Sequence, residues 1–90
     1  AHNVKISNNC VIAGQVGIAG STILYENVKV GGRAGIIDNL EIGKNSMIAG
    51  NSFVWKSITE NSYVSGDPAE DHKLRLKKIA AFNKTLNKNK

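Results

Sequence analysis

Residues 4–54 read VKISNNCVIAGQVGIAGSTILYENVKVGGRAGIIDNLEIGKNSMIAGNSFV. Every sixth position of this stretch carries an aliphatic side chain, which we call the ladder residues: Ile6, Ile12, Ile18, Leu24, Val30, Ile36, Ile42, Ile48 and Val54. Because six is a multiple of the strand period of two, all of them would point to the same side of an extended chain. An α-helix would instead spread them around its surface. The stretch is therefore predicted to be a hexapeptide repeat.

The chain must turn after each hexad, since a single strand of nine repeats exceeds what globular domains contain. The residues three positions after the ladder supply the turns: Asn9, Gln15, Ser21, Asn27, Arg33, Asn39, Asn45, Asn51 and Ser57. Asparagine recurs among them because it tolerates the left-handed backbone region. Three hexads would close one triangular coil of eighteen residues. The fold class is therefore predicted to be all-β, a parallel β-helix of three coils.

Composition limits the chain to one domain of 90 residues with a modest core. The single cysteine, Cys10, excludes an internal disulfide and any cysteine-rich metal site, and its inward position predicts a buried thiol. Residues 1–66 carry five basic and four acidic side chains, whereas residues 67–90 carry seven basic and three acidic ones. The positive charge is therefore concentrated at the C-terminal end, where an acidic partner would bind.

Two regions are predicted, a β-helix over residues 1–66 and a basic C-terminal helix with a frayed tail over residues 67–90. Asp67 is a suitable helix N-cap, Pro68 suits the first helical position, and Glu70 stands three residues after the cap. Apolar residues then follow at helical spacing: Leu76, Ile79, Phe82 and Leu86. Three copies of this helix around a threefold axis would bury that stripe.

Several segments resemble the UDP-3-O-acylglucosamine N-acyltransferases of lipid A synthesis, which belong to the hexapeptide-repeat acyltransferases. They are Ala1-His2-Asn3-Val4, Ala19-Gly20-Ser21, Gly31-Gly32-Arg33-Ala34-Gly35-Ile36, Lys56-Ser57-Ile58-Thr59 and Gly66-Asp67-Pro68-Ala69. The resemblance implies a left-handed β-helix, a homotrimer with active sites between subunits, and a cytoplasmic location. Because the ladder is already in register at Val4, we expect the chain to be the C-terminal piece of a longer protein, preceded by further coils and a uridine-binding domain.

The resemblance assigns chemistry to one corner of the predicted prism. His2 matches the histidine that acts as general base on the 2-amine of the sugar substrate, a role that suits an imidazole. The eighteen-residue coil places Gly20 and Asp38 over His2, one and two coils along. Gly20 resembles the glycine whose backbone N–H binds the thioester oxyanion, although a simple turn glycine is an equal alternative. The second histidine of the family is replaced by Asn39, which can donate a hydrogen bond but cannot carry a charge.

The outward positions on the face that leads to this corner are Gly17, Gly35 and Phe53. Two stacked glycines would leave a shallow channel, which we expect to hold the acyl chain or the pantetheine arm of the donor, with Phe53 limiting acyl length. The alternative occupant of this space is a neighbouring subunit.

The resemblance implies acyl carrier protein as donor and a UDP-acylglucosamine as acceptor. The donor itself carries the phosphopantetheine, so no separate cofactor and no metal are expected. Carrier-protein docking is expected at the basic helix residues: Lys73, Arg75, Lys77 and Lys78. The alternative for these residues is a solvated helix face. Neither a nucleic-acid partner nor an integral membrane segment is predicted.

Two other functions remain open at the level of the sequence. A hexapeptide acetyltransferase that uses coenzyme A would share the ladder and the histidine. A non-catalytic trimeric solenoid would share the ladder alone, and the isolated 90 residues are expected to be inactive. A metal-dependent enzyme of the carbonic anhydrase type is disfavoured, because it needs three histidines and the chain offers His2 and His72.

Overall fold

The computed structural model describes residues 2–88, which form a parallel β-solenoid of about three coils followed by one helix. The elements in chain order are β1 (Lys5–Ile6), β2 (Val11–Ile12), β3 (Gly17–Ile18), β4 (Ile23–Leu24), β5 (Lys29–Val30), β6 (Gly35–Ile36), β7 (Glu41–Ile42), β8 (Met47–Ile48), β9 (Phe53–Val54), β10 (Tyr63–Gly66), β11 (Ala69–Asp71) and α1 (His72–Lys88). The predicted left-handed β-helix is thereby confirmed.

Each face of the prism is a parallel sheet built from strands one coil apart. The strand orders are β1-β4-β7, β3-β6-β9 and β2-β5-β8-β10, and β11 joins the last sheet beside β10. Residues eighteen apart pair across neighbouring coils, as Lys5 does with Ile23 and Gly17 with Gly35. The coil length predicted from the ladder is therefore correct.

The corners are made by residues in the left-handed region. The non-glycine residues with φ between 59° and 63° are Asn3, Asn9, Gln15, Ser21, Asn27, Arg33, Asn39, Asn45, Asn51 and Asn61. At one corner the asparagine side chains also bond to each other along the stack. The amide of Asn27 donates to Asn45 at 3.0 Å, and the amide of Asn45 donates to Asn61 at 3.2 Å. Asparagine therefore supplies both the turn and a contact between coils.

The ladder residues fill the interior of the prism from the second coil onward. Leu24 and Ile42 are fully buried, and Ile48 and Val54 are each 1% exposed. The small polar residues of the interior are satisfied, because the Thr22 hydroxyl donates to the carbonyl oxygen of Ile37 at 2.9 Å. The core is thus a narrow column without orphaned polar atoms among the described residues.

The first coil departs from this pattern. Ile6 is 49% exposed and Ile12 37%, because no coil within residues 2–88 packs on their outer side. For the same reason the expected burial of Cys10 is wrong: the residue is half-buried, and its thiol donates to the carbonyl oxygen of Tyr25 at 3.1 Å.

A partial fourth coil follows the ladder and is two residues shorter than the others at one corner. Ile58 bridges to Ile42 and Val64 pairs with Ile48, a separation of sixteen residues instead of eighteen. The prediction that Ser57 forms a turn is therefore wrong. Its hydroxyl instead accepts the backbone N–H of Glu41 at 3.0 Å, and the turn residue of this coil is Asn61.

The helix begins four residues after its expected first residue, at His72 instead of Pro68. β10 and β11 form an antiparallel hairpin in which Gly66 pairs with Ala69, so Asp67 and Pro68 lie in its turn. Asp67 is therefore not the N-cap. The carboxylate of Asp71 takes that role by accepting the N–H of Leu74 at 3.1 Å. Residues 69–71 belong to the solenoid sheet, so the boundary between solenoid and helix lies after residue 71 and not before residue 67 as predicted.

The helix is held to the solenoid through its first turn. The Ser65 hydroxyl lies 2.8 Å from Nδ1 of His72, and the His72 ring stacks on Tyr63 with centroids 4.3 Å apart. Beyond that turn the predicted apolar stripe is uncovered within residues 2–88, with Ile79 40% and Phe82 64% exposed. No helix among these residues has the length and apolarity needed to cross a membrane.

Gly43 is one of two glycines, with Gly31, at which neighbouring coils approach most closely, and it yields a stability prediction. A Cβ there would lie 2.7 Å from Cα of Glu60 and closer still to its nitrogen, so Gly43→Ala must push two backbones apart. We expect a loss toward the upper end of about 1–3 kcal/mol in unfolding free energy. Gly14→Ala is the matched control, since nothing lies within 4 Å of its Cβ position. Thermal unfolding of both variants tests this, and equal midpoints would contradict close coil stacking.

Candidate active site

The corner that carries His2 is built from three stacked turns, residues 2–3, 20–21 and 38–39, which we call the His2 corner. The N–H of Ser21 donates to the carbonyl oxygen of His2 at 2.9 Å. One coil further, the N–H of Asn39 donates to the carbonyl oxygen of Gly20 at 3.0 Å. His2, Gly20 and Asp38 therefore form the column that the eighteen-residue period predicts, while their chemical roles stay predictions.

The shape of each turn explains why these positions are available to a ligand. Asn3, Ser21 and Asn39 take φ values near 60°, which turns the chain from one face of the prism to the next and leaves the preceding residue at the outside. His2 and Asp38 are accordingly exposed. The column offers an imidazole, a bare backbone and a carboxylate in succession along one edge.

Gly20 combines a free donor with a bare backbone. Its N–H has no backbone acceptor among residues 2–88, whereas the adjacent N–H groups of Ala19 and Ser21 are both bonded. The same is true at the equivalent position of other corners, such as Glu26. Gly20 carries no side chain, as is also true of Gly14, Gly32 and Gly50 at the equivalent position of another corner. What sets Gly20 apart is its place in the His2 corner, where a Cβ would lie only 3.0 Å from the carbonyl oxygen of His2. An oxyanion can therefore approach its N–H closely.

Asn39 stands where the resemblance implies a second histidine, and its amide has a partner within the chain. Nδ2 of Asn39 donates to Oδ2 of Asp38 at 3.3 Å. The hydrogen bond that the sequence assigned to Asn39 is therefore directed at a neighbouring carboxylate in this structure. The Asp38 carboxylate and the His2 imidazole are the two exposed ionisable side chains of the corner.

The outward face of the sheet β3-β6-β9 forms a shallow groove of about 530 Å³. Gly17 pairs with Gly35, and Gly35 pairs with Phe53, so the three predicted residues follow one another along its floor. A ring carbon of Phe53 would lie 3.5 Å from a Cβ on Gly35, which places the ring at the end of the glycine floor. We call this feature the glycine groove.

Five residues that were not predicted from the sequence also line the groove: Ile18, Ala19, Ile36, Ile37 and Asp38. Asp38 belongs to the His2 corner as well, so the groove opens onto that corner. Ile37 directly follows the ladder residue Ile36, so the strand alternation places it on the same outward face as Gly35. Its place in the groove could therefore have been predicted from the sequence. Groove and corner are therefore parts of one continuous surface.

A second cavity of about 470 Å³ lies at the C-terminal end of the prism. Its walls include Trp55, Ile58, Val64, Ala69 and Leu74, with several hydroxyl and charged groups at the rim. It is the space between the shortened fourth coil and the first turns of the helix. No His2-corner residue lines it, and we base the site on the glycine groove.

The four basic residues predicted to dock a carrier protein have different environments. Lys73 and Lys77 are exposed on α1. Lys78 forms an ion pair with Glu70 at 2.7 Å. Arg75 is half-buried, and its side chain covers Gly66, where a Cβ would lie 2.8 Å from Nε of Arg75. Lys73 and Lys77 are thus the more available pair for an acidic partner.

Away from this site, the Tyr25 hydroxyl donates a hydrogen bond to the Glu41 carboxylate. That hydrogen bond, and then the negative charge of Glu41, raise the pKa of Tyr25 above its usual value of 10.0. Both residues lie on the β1-β4-β7 side of the prism, and neither lines the glycine groove. Among residues 2–88, no three His, Cys, Asp or Glu side chains cluster as metal ligands would.

Known proteins with similar sequences are named UDP-3-O-acylglucosamine N-acyltransferases, the family that the sequence motifs resemble. The chain is 41% identical over 87 residues to UDP-3-O-acylglucosamine N-acyltransferase from Methylobacterium nodulans, covering 90% of this chain and 25% of that protein. It is 50% identical over 80 residues to UDP-3-O-acylglucosamine N-acyltransferase 1 from Gloeobacter violaceus, covering 89% and 23%. The chain thus spans about a quarter of the length of these relatives. No protein-family model matches it.

The solved structures that resemble this chain include acetyltransferases. Serine acetyltransferase from Brucella abortus strain S19, in complex with coenzyme A, superposes with a TM-score of 0.75 at 28% identity. The match covers 78% of this chain and 31% of that one. By sequence and by fold, the chain is a homologue of the UDP-3-O-acylglucosamine N-acyltransferases, within the hexapeptide-repeat acyltransferases.

Proposed function

We propose that the chain is the catalytic solenoid segment of an N-acyltransferase that moves a 3-hydroxyacyl group from acyl carrier protein to the 2-amine of UDP-3-O-acylglucosamine. The observation that carries this proposal is the continuity of the His2 corner with the glycine groove, in a chain half identical to a protein of that name. In the proposed role the protein is a cytoplasmic enzyme of lipid A synthesis.

The proposed reaction takes the roles that the family resemblance implies for His2 and Gly20, and the order of these groups along the corner is compatible with them. The lone pair of the sugar nitrogen attacks the carbonyl carbon of the thioester, forming a C–N bond while the C=O electron pair moves to oxygen. The N–H of Gly20 stabilises that oxyanion, and His2 accepts the proton that the nitrogen loses. Collapse of the intermediate breaks the C–S bond, and the thiolate leaves and takes up a proton.

The glycine groove is proposed to hold the donor. Its floor lacks side chains at Gly17 and Gly35, so an extended pantetheine arm or acyl chain could lie directly on the backbone. Burial of each methylene contributes about 0.8 kcal/mol, so the length of the groove would translate into chain-length preference. Phe53 stands at its end and would set that length.

Phe53→Ala is therefore expected to shift donor preference toward acyl chains longer by two or more carbons. The reason is that removing the ring extends the glycine floor past Gly35. The measurement is kcat/KM for a series of acyl carrier protein donors of increasing length. Trp55→Ala is the control, because Trp55 is exposed and does not line the groove. An unchanged length preference in Phe53→Ala would rule out this residue as the ruler.

Assembly and docking complete the proposal. We propose a homotrimer, supported by outward apolar side chains that remain exposed in the single chain, such as Val11 at 58% and Met47 at 41%. Acyl carrier protein, being acidic, would dock against the exposed Lys73 and Lys77. The segment alone is proposed to be inactive, because its relatives are about four times longer.

A coenzyme A-dependent acetyltransferase is the second candidate, favoured by the coenzyme A complex of the similar serine acetyltransferase. Donor choice separates the two. The full-length protein that carries this segment is assayed with 3-hydroxyacyl carrier protein and with acetyl and 3-hydroxyacyl coenzyme A, using UDP-3-O-acylglucosamine as acceptor. Transfer from the carrier protein at the highest kcat/KM supports the proposal. Preferred transfer from acetyl coenzyme A would replace it with the second candidate.

A further inference from the structure

One oxygen of the Asp38 carboxylate accepts no hydrogen bond among residues 2–88, and the side chain is exposed at the His2 corner. Within residues 2–88 it accepts one side-chain hydrogen bond, from Asn39 to Oδ2, and it takes part in neither ion pair found there, Lys44–Glu60 and Lys78–Glu70. That bond from the adjacent amide restrains the orientation of the carboxylate. Oδ1 is left without a donor among these residues and faces an exposed surface.

The Asp38 carboxylate lies beside both the groove proposed for the donor and the corner proposed for the acceptor. Asp38 lines the glycine groove, and it stacks one coil beyond Gly20 and two coils beyond His2. At the usual spacing of stacked strands, two coils separate His2 from Asp38 by about 10 Å along the edge. A thioester whose oxygen is held at Gly20 would therefore lie between an imidazole and a carboxylate.

The chemistry of aminolysis produces a charge that a carboxylate would stabilise. When a neutral amine attacks a thioester, the oxygen becomes negative and the nitrogen becomes positive until its proton is removed. A backbone N–H meets the first charge and a carboxylate meets the second. The same carboxylate would bind the ammonium form of the free substrate, since charge-assisted hydrogen bonds are the stronger ones.

We propose that Asp38 recognises the charged amine of the acceptor and stabilises the positive charge that develops on its nitrogen. The inference rests on the proposed function and adds a specificity to it: this corner selects an amine over a hydroxyl nucleophile. The bound ammonium first releases one proton to solvent, and the neutral amine then attacks. His2 accepts the proton that the nitrogen loses after attack, and Asp38 accepts no proton in the net reaction.

The test compares two acceptors that differ at one atom, UDP-3-O-acylglucosamine and its 2-hydroxyl counterpart. Their dissociation constants are measured by calorimetry on the full-length protein at mildly acidic pH, and kcat and KM are measured for the amine. The variants are Asp38→Asn and Asp38→Glu. Glu26→Gln is the control, because Glu26 is an exposed carboxylate at the same position of a different corner.

Asp38→Asn is expected to lose the preference for the amine and to lower transfer about 10- to 100-fold, while the donor KM stays unchanged. Asp38→Glu restores part of the preference, and Glu26→Gln behaves as the wild type. An Asp38→Asn variant that still prefers the amine overturns this inference while leaving transfer itself intact. A wild-type protein that transfers no acyl group to either acceptor overturns the proposed function together with it.

Discussion

Replacing His2 with alanine is expected to lower N-acyl transfer by the full-length protein about 10²–10⁴-fold, with little change in the KM of either substrate. A positioned general base contributes a factor of this size, and the exposed imidazole at the His2 corner has no side-chain hydrogen bond among residues 2–88 that its loss would break. Steady-state kinetics with the carrier-protein donor measure the effect.

His2→Gln tests whether transfer requires the basicity of the imidazole or only a polar side chain of similar size. Glutamine keeps a polar side chain of similar reach but does not take up a proton, so it is expected to be as impaired as alanine. Transfer that survives in both variants at the wild-type rate would move the base to another residue. Survival in His2→Gln alone would show that hydrogen bonding, and not proton transfer, is what this position supplies.

The second large effect concerns the core. Ile48→Ala removes a ladder side chain that is 1% exposed and is expected to cost about 2–5 kcal/mol, because the stacked coils cannot collapse into the cavity. By the conversion of 1.36 kcal/mol per factor of ten, amide protection in β5 and β8 should fall about 30- to 5000-fold. Hydrogen exchange followed by mass spectrometry localises this loss.

Lys29→Ala is the control for that experiment. Lys29 lies on the neighbouring strand of the same sheet, but its side chain is exposed on the outer face. Its removal is expected to leave protection within about threefold of the wild type, since exposed substitutions usually change stability by less than 0.5 kcal/mol. Equal losses in the two variants would contradict an interior formed by the ladder.

The stacking of the coils could be predicted from the sequence because a single repeat length, eighteen residues per coil, determines which residues lie over one another. Ladder residues and turn residues are local signals, and a regular coil converts sequence separation directly into spatial contact. The contact of Gly20 with His2 followed from that arithmetic alone. The uncovered first coil was not foreseen at Ile6 and Cys10, because burial there depends on what stacks against the coil.

The fourth coil shows what a fixed period misses. A count of six from Val54 passes over Ile58, yet Ile58, Asn61 and Val64 restart the same hexad pattern two residues early. The signal was present, because an aliphatic residue is followed three positions later by asparagine and six later by valine. Shortening one corner by two residues shifts the register of the hexapeptide repeat but keeps the spacing of the residues within it.

The helix start was missed for a different reason. Asp67, Pro68 and Glu70 satisfy every local rule for an N-terminus, but the backbone of residues 69–71 pairs with β10 instead. A hairpin that completes the sheet therefore outweighed local capping preference. Glu70 then binds Lys78, while Asp71 caps the helix. Side-chain pairings of this kind, like that of Asn39 with Asp38, depend on contacts that spacing does not reveal.

The most direct test of the proposed active site is a crystal structure of the full-length protein with a stable ketone analogue of the acyl donor, in which a methylene group replaces the thioester sulfur. We expect the ketone oxygen of the analogue about 2.7–3.2 Å from the N–H nitrogen of Gly20, with His2 beside the carbonyl carbon. The attached chain should lie over Gly17 and Gly35 and end at Phe53. An analogue bound in the cavity beneath Leu74 instead, with the His2 corner empty, would contradict the assignment of the active site.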